Sequence, residues 1–176
     1  MKLPSARVIR EQLFELARYG ALGACVYVLA SQWVHHSSGP KEGSTAAAFD
    51  LPLLGEPGRV NLAAQHGKPV LMEVVASWCS ACKRTSPRLV EAWRAHHNED
   101  VTFLAVSVDE DPAAANQLKS DWHIPFAVAM DDGSVSRNYG INMLPTLIYI
   151  DKNGKVKHAS AGVTSRSDLE DWLSER

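Results

Sequence analysis

Cysteine is scarce in this chain, where only three of the 176 residues carry a thiol. Neither sign of charge is in large excess, since 18 Lys and Arg stand against 20 Asp and Glu and the net charge is −2. The lack of a basic surplus argues against a nucleic-acid partner, and the lack of an acidic tail argues against a solvating segment. Glycine and proline are not enriched, and no repeat period is visible. The totals indicate an ordinary globular chain of one domain with an appendage.

Charge is absent altogether from one stretch near the N-terminus, YGALGACVYVLASQWV, residues 19–34. As a helix this stretch is roughly 24 Å long, slightly short of the roughly 30 Å bilayer core, a gap that flanking side chains and bilayer thinning can absorb. Basic residues precede it, which predicts a cytoplasmic N-terminus and an exported remainder. These residues are Lys2, Arg7, Arg10 and Arg18. We therefore predict one transmembrane signal-anchor within residues 1–36.

Two other interpretations of this segment stay open. The residues VLA before Ser31 resemble a signal-peptidase site, in which case the segment would be removed. The sequence LGAC ending at Cys25 resembles a lipoprotein box, although the apolar stretch before it is short because it begins only after Arg18. All three interpretations export the rest of the chain. Within an anchor, Cys25 is expected to be an inert, small apolar residue.

The remainder predicts a linker and one α/β domain. Residues 37–48 are small, polar and aperiodic, which predicts a flexible linker, and the domain is predicted over residues 49–176. Strands are predicted in FDLPLL, GRVNL, PVLMEVVA, VTFLAVSV, IPFAVAMD, LPTLIYID and VKHAS. Helices are predicted after the two later cysteines, in DEDPAAANQLKSDW, in a brief segment through Tyr139 and in SRSDLEDWLSE. This alternation, with a hairpin at each end, argues for an α/β domain with a mixed sheet.

The two later cysteines lie together in MEVVASWCSACKRTSP, residues 72–87. A disulfide between Cys79 and Cys82 needs Cα atoms about 5.5 Å apart, which the first turn of a helix supplies. The unpaired N–H groups of that turn favour a thiolate at Cys79, and Lys83 and Arg84 add positive potential. Cys82 lies one turn inward and is the predicted resolving thiol. The expected cycle is attack of the Cys79 thiolate on a disulfide, a mixed disulfide, and release by Cys82.

Two structural interpretations of the cysteine pair carry less support. A zinc site needs four ligands, but the chain has no second CxxC, and its seven histidines form no HxxxH-type pair. A static disulfide suits an exported protein, but across such a small loop it adds little constraint to the unfolded chain. A redox pair without metal is therefore the prediction.

The residues around the pair resemble the thioredoxin superfamily. WCSAC follows an apolar strand, Pro87 comes five positions after Cys82, and LPT leads into a strand, an NG turn and another strand. VSVDED, YGINMLPTLIYIDKNGKV and the N-terminal apolar stretch narrow the resemblance to the TlpA-like, membrane-anchored thiol–disulfide oxidoreductases of bacteria. The resemblance covers residues 49–176.

The resemblance implies an α/β thioredoxin fold, in which helices flank a central mixed β-sheet, preceded by one transmembrane helix. It also implies an N-terminal β-hairpin and a βα insertion between about Asp109 and Met130. The Leu144–Pro145 bond is expected to be cis, with the backbone of Leu144 beside the cysteines, where a substrate segment can pair as an extra strand. Trp78 is expected on the same substrate-binding face.

Glu73 lies six residues before Cys79, where thioredoxins carry a buried acid. Apolar neighbours on both sides predict burial, which raises the pKa of the carboxyl group and lets it exchange a proton with Cys82. The alternative is an exposed strand end at which Glu73 meets solvent. Many TlpA-like proteins place an acid shortly after the second cysteine, where this chain has Thr85 and Ser86. We therefore expect the proton-handling role at Glu73.

The dipeptide between the cysteines, Ser80–Ala81, lacks the proline that is common before the second cysteine in the superfamily. This dipeptide helps to set the relative stability of thiolate and disulfide. Ser80 and Ala81 are therefore predicted to tune the redox poise, and the sequence leaves open whether the protein acts as reductant or oxidant.

The resemblance implies a periplasmic enzyme, held at the bacterial inner membrane through residues 19–34, that reduces disulfides in exported proteins such as apocytochrome c. Its partners would be protein thiols and disulfides and an inner-membrane electron donor, with no cofactor beyond the Cys79–Cys82 disulfide. One alternative is a peroxiredoxin-like peroxidase, but such enzymes usually attack peroxide without a WCxxC pair. The other is a non-catalytic copper-delivery module, but those carry CxxxC.

Overall fold

The computed structural model describes residues 19–28 and 39–175, and the chain divides into two compact units, Met1–Ser37 and Ser38–Arg176. In the first unit, residues 19–28 form helix α1, which is exposed. Among the described residues, no helix combines the length and hydropathy needed to cross a membrane. The rest of the predicted anchor, including residues 29–34, lies outside the described residues. The transmembrane anchor therefore stays a prediction.

Within residues 39–175, short strands and helices follow one another in the predicted order. The strands are β1 (Asp50–Pro52), β2 (Arg59–Asn61), β3 (Val70–Val75), β4 (Thr102–Ser107), β5 (Ala127–Met130), β6 (Thr146–Ile150) and β7 (Val156–Ala161). The helices are α2 (Ser80–His96), α3 (Pro112–Asp121), α4 (Ser134–Asn138) and α5 (Arg166–Ser174), with a 3₁₀-helix at Leu62–Gln65. Each of these strands and α-helices overlaps a segment for which the sequence predicts it, although α2 begins before Cys82 and β7 extends one residue past its segment.

The strands form a hairpin and a mixed sheet. β1 and β2 pair antiparallel, and the other five strands form a sheet in the order β5-β4-β3-β6-β7. β3 runs parallel to β4 and antiparallel to β6, so the sheet is mixed as predicted. The turn between β6 and β7 contains Gly154 at φ +73°, a conformation that glycine adopts without a steric penalty. Helix α3 and strand β5 occupy the interval predicted for the βα insertion.

The central strand β3 is buried along its whole length, and alternate residues face opposite sides of the sheet. Leu71 and Val75 belong to the core cluster that also contains residues of α2 and α5, whereas Met72 and Val74 belong to the cluster on the other face. Glu73 is two positions from Leu71 and two from Val75, so its side chain lies on the same face of the sheet as theirs. The strand therefore directs this acid towards the helix that begins at the cysteines.

Part of the predicted linker is hydrogen-bonded to the domain. The N–H of Gly43 donates to the carbonyl of Val156 at 2.7 Å, the N–H of Val156 donates to the carbonyl of Ser44 at 2.9 Å, and Ala46 donates to Gly154 at 2.9 Å. β7 is an edge strand, whose outer backbone groups are open to such pairing. The described residues 39–48 thus differ from a flexible linker. Backbone pairing of this kind does not require apolar residues at regular spacing. A segment of small, polar residues therefore gives no sequence signal for it.

Candidate active site

Cys79 and Cys82 form a disulfide, with their Cα atoms 5.3 Å apart. Cys79 is the N-cap of α2, and its Sγ accepts a hydrogen bond from the N–H of Cys82 at 3.0 Å. Cys79 retains 7% of its surface in solvent, whereas Cys82 retains none. This order of exposure is the one that an attacking thiol and a shielded resolving thiol require.

The start of α2 provides a positive environment for the pair. Its first-turn N–H groups lie beside Cys79, and the side chains of Lys83 and Arg84 are exposed on the same helix. Partial positive charge at a helix N-terminus and nearby cations both favour the ionised form of a thiol. The geometry therefore favours a thiolate at Cys79 once the disulfide is opened. Ser80 is exposed and Ala81 packs against the core, and neither position tests their predicted effect on redox poise.

Glu73 is buried, with 5% of its surface exposed, as its apolar flanks predict. Burial raises the pKa of this carboxyl group to about 7, because the charged form loses its solvation. A hydrogen bond from Thr85 opposes this shift, because it stabilises the ionised form. An acid that titrates near neutral pH suits proton exchange with a thiol.

The hydroxyl group of Thr85 lies between Glu73 and the first turn of α2. It is 3.4 Å from Oε1 of Glu73, 3.2 Å from the carbonyl oxygen of Ala81 and 3.1 Å from the carbonyl oxygen of Cys82. The sequence marks Thr85 only as standing where related proteins place an acid. The structure shows that this residue instead contacts the acid carried by the strand below.

Asp109 also belongs to the site, although the sequence alone does not identify it as a site residue. Its carboxylate accepts hydrogen bonds from the N–H of Ser77 at 2.9 Å, from the Ser77 hydroxyl at 2.7 Å and from the Ser107 hydroxyl at 2.7 Å. Asp109 thereby joins the end of β4 to the loop that leads into Cys79. The acidic run DED shows that acids follow β4, but not which of them reaches a loop 32 residues earlier in the chain.

A groove of about 370 Å³ runs beside Cys79. Trp78 and Leu144, which the sequence predicts to bind substrate, line this groove, and Val108, Ile141 and Met143 add apolar surface. Trp78 is 71% exposed and Met143 is 51% exposed, so apolar surface remains open to solvent around the disulfide.

The Leu144–Pro145 peptide bond is cis, as the resemblance implies. The carbonyl oxygen of Pro145 accepts a hydrogen bond from the N–H of Gly162 at 2.7 Å, which ties this loop to the end of β7. The structure thus brings Leu144 and Cys79 to one groove, and the predicted role of Leu144 and Pro145 in substrate binding stays a prediction.

Within residues 19–28 and 39–175, no cluster of three or more His, Cys, Asp or Glu side chains is placed to hold a metal ion. The described residues contain the Cys79–Cys82 disulfide and one free cysteine, Cys25, which is exposed.

The fold and the site define the class of the protein, which is an α/β protein of the thioredoxin type with a disulfide at the start of a helix. The chain belongs to the Redoxin family, whose model matches residues 41–173.

Similar proteins carry names that agree with this class. The chain is 29% identical over 168 residues to the thiol-disulfide oxidoreductase ResA of Geobacillus thermodenitrificans, covering 95% of this chain and 94% of the relative. It is 28% identical to the thiol:disulfide interchange protein DsbE of Pseudomonas aeruginosa, over 85% of this chain and 83% of the relative. The crystal structure of a candidate DsbE from Chlorobium tepidum matches with a TM-score of 0.71 and 29% identity, covering 77% of this chain and 97% of that one. The predicted thioredoxin fold and thiol–disulfide oxidoreductase class are confirmed.

Proposed function

We propose that the protein is a periplasmic, membrane-anchored enzyme that reduces disulfides in exported bacterial proteins. The observation that carries the proposal is the disulfide at the start of α2, in which Cys79 lines an open groove while Cys82 and Glu73 are buried. This arrangement separates an attacking sulfur from a resolving sulfur. It also supplies a carboxyl group, that of Glu73, to accept the proton of the resolving cysteine. The similarity to ResA and DsbE proteins supports the same reaction class.

The reaction begins with the Cys79 thiolate, which attacks one sulfur of a substrate disulfide. The substrate S–S bond breaks, and the departing sulfur leaves as a thiolate that takes a proton from solvent. Cys82 then gives its proton to the carboxylate of Glu73, and its sulfur attacks Cys79 in the mixed disulfide. The bond between Cys79 and the substrate breaks, so two electrons have passed to the substrate and the Cys79–Cys82 disulfide remains. An external dithiol, which we assign to an inner-membrane electron donor, must reduce it again.

The groove beside Cys79 supports a protein substrate. Exposed apolar side chains of Trp78 and Met143 flank the disulfide, and Leu144 lines the groove next to the cis bond with Pro145. An extended segment around a substrate cysteine would fit such a groove by pairing its backbone with the loop at Leu144 and packing its apolar side chains on Trp78 and Met143. Ser80 and Ala81, between the two cysteines, would set the redox poise of the pair.

The proposal extends to the cellular setting that the family resemblance implies. Residues 19–34 would hold the domain of residues 49–176 at the outer face of the inner membrane, with residues 37–48 between them. The substrates there would include cysteines of apocytochrome c, so that the enzyme serves cytochrome c maturation.

Trapping of the mixed disulfide tests this proposal. The full-length chain in detergent should carry Cys25→Ala, because the exposed thiol of Cys25 would otherwise react. In that background, Cys82→Ser should accumulate a mixed disulfide between Cys79 and a disulfide-containing peptide, visible as a mass increase under non-reducing conditions. Cys79→Ser should form no adduct and show no turnover. Turnover by Cys79→Ser, together with no adduct in Cys82→Ser, would contradict the proposed reaction.

A further inference from the structure

A small cavity lies against Glu73, between the sheet and helices α2 and α5. It is lined by Glu73, Thr85, Arg88, Leu147, Thr164 and Leu169, among others. The space open to the centre of a water-sized sphere is about 10 Å³. That volume is close to the smallest that holds a single water molecule, provided that two to four polar groups surround it.

The polar groups of this cavity match that requirement. The Thr164 hydroxyl is buried and has no hydrogen-bond partner among the described residues, although only 8% of the residue is exposed. Burying a hydroxyl group without a partner is unfavourable, so such a group marks a place where a small polar molecule binds. Glu73 and Thr85 line the same cavity, and each carries a polar side chain. Together these side chains offer one water molecule both donors and acceptors.

One residue that lines the cavity is partly exposed to solvent. Arg88 lines the cavity and is half-buried, and its guanidinium donates a hydrogen bond to the carbonyl oxygen of Thr164 at 2.8 Å. This bond joins α2 to the segment between β7 and α5 and fixes the position of Thr164. The cavity is therefore bounded on this side by a side chain that is in contact with bulk water.

Few charges face Glu73 from the elements packed around it. Its neighbours in register are Ala105 on β4 and Leu147 on β6, and α5 presents Leu169 to the cavity; all three are apolar. The charged or titratable side chains come from α2. Arg88 lines the cavity, and Cys82 shares the Thr85 hydroxyl with Glu73 through its carbonyl oxygen.

We propose that this cavity is a water site through which the proton that Glu73 takes from Cys82 leaves to solvent past Thr164. The proposal rests on the proposed function, in which Glu73 accepts that proton. In the mixed disulfide the substrate covers the groove at Cys79, so a route on the far side of Glu73 stays usable. The protonated carboxyl group of Glu73 gives its proton to the water and becomes a carboxylate. The water in turn passes a proton to bulk solvent. No electrons move in this step. Thr164 is a positioning residue that holds the water.

The test removes the hydroxyl group and keeps the shape. Thr164→Val should raise the pKa of Glu73 by about half a unit or more, because the water stabilises the ionised form through a hydrogen bond. The measurement is a ¹³C NMR titration of the Glu73 carboxyl group in the oxidised, full-length chain in detergent. Thr164→Ser keeps a hydroxyl group and should restore the original titration. Ser86→Ala is the matched control, since Ser86 carries another buried hydroxyl without a partner among the described residues, outside this cavity.

A second measurement needs no variant. Magnetisation transfer from a long-lived water to the methyl groups of Thr85 and Thr164 in the unmodified chain is expected, and its absence would overturn the proposal. An unchanged Glu73 titration in Thr164→Val would overturn it as well. Because the titration uses the oxidised protein, it does not depend on turnover. A chain that lacks reductase activity but still shows the Thr164 effect would support the water site and overturn the proposed function.

Discussion

The hydroxyl group of Thr85 lies 3.4 Å from Oε1 of Glu73 and 3.1 Å from the carbonyl oxygen of Cys82. A threonine hydroxyl has one proton to donate, so it serves one of these acceptors at a time. The ionised carboxylate attracts that proton more strongly than a neutral carbonyl group does. The charge on Glu73 is thereby coupled to the helical turn that carries Cys82.

Replacing Thr85 by valine tests this coupling. Thr85→Val keeps the shape of the side chain but removes the hydrogen bond that lowers the pKa of Glu73. We expect the pKa to rise above its value of about 7, by about half a unit to one unit for one lost hydrogen bond. The change is measured by ¹³C NMR titration of the carboxyl group. Thr102→Val is the control, because the Thr102 hydroxyl donates to Gln65 instead; equal titration of both variants would refute the coupling.

The raised pKa of Glu73 also predicts how stability depends on pH. The folded chain holds the Glu73 proton more tightly than the unfolded chain does, since the pKa is about 7 in the folded state and 4.5 for a free glutamate. The associated stabilisation is complete below pH 4.5 and is lost as the pH rises through about 7. From this shift, the loss amounts to about 3 kcal/mol in the free energy of unfolding.

Denaturant unfolding of the oxidised, full-length chain measures this loss. Between pH 4.5 and pH 8, Glu73→Gln should lose less stability than the unmodified chain, and it should be the more stable of the two at pH 8. Glu110→Gln is the control, since Glu110 is exposed. A Glu73→Gln chain with the pH dependence of the unmodified one would show that Glu73 does not titrate between its free and folded values.

The same substitution should slow the resolving step. Without a carboxylate to accept the proton of Cys82, the release of substrate from the mixed disulfide should fall on the order of 10²-fold near pH 7.5, the low end of what a general base contributes. Stopped-flow fluorescence of Trp78 follows this step, and the rate in Glu73→Gln should no longer rise with pH near 7. Formation of the mixed disulfide by Cys79 should change much less. If Glu73→Gln slowed only the formation of the mixed disulfide, Glu73 would not act in the resolving step.

Asp109 holds the loop before Cys79 through hydrogen bonds from Ser77 and Ser107. Asp109→Asn replaces one acceptor oxygen by a donor that faces other donors. We expect the free energy of unfolding to fall by about 1–3 kcal/mol, as for a buried polar group that loses its partner. Asp100→Asn is the control, because Asp100 is exposed and pairs only with Lys68 in its described contacts. Equal denaturation midpoints for the two variants would contradict this role.

Much of the fold could be predicted from the sequence because its signals are local. The apolar run of β3, the start of α2 at Cys79 and the Asn153–Gly154 turn each depend on neighbouring residues, and the structure has them where the sequence indicates. The burial of Glu73 also follows from its apolar flanks. The mixed sheet agrees with the family resemblance, which brings information that no single segment contains.

Other contacts in the site join residues that are far apart in the sequence, so local sequence patterns do not predict them. Asp109 reaches Ser77 across 32 residues of sequence, and Thr164 approaches Glu73 only because α5 and the segment before it pack on α2. The pairing of residues 43–46 with β7 depends on an edge strand more than 100 residues later. Such contacts arise from the tertiary fold, so residue type and spacing alone do not predict them.

The reduction potential of the Cys79–Cys82 couple tests the central claim most directly. The full-length chain in detergent, with Cys25→Ala, is equilibrated against dithiothreitol or glutathione buffers, and the fluorescence of exposed Trp78 reports the reduced fraction. A disulfide reductase should give a value near or below about −230 mV, in the range of thioredoxin-like reductants. A value near about −120 mV would make the protein an oxidant that introduces disulfides. That result, or a pair that forms no reversible disulfide, would contradict the account.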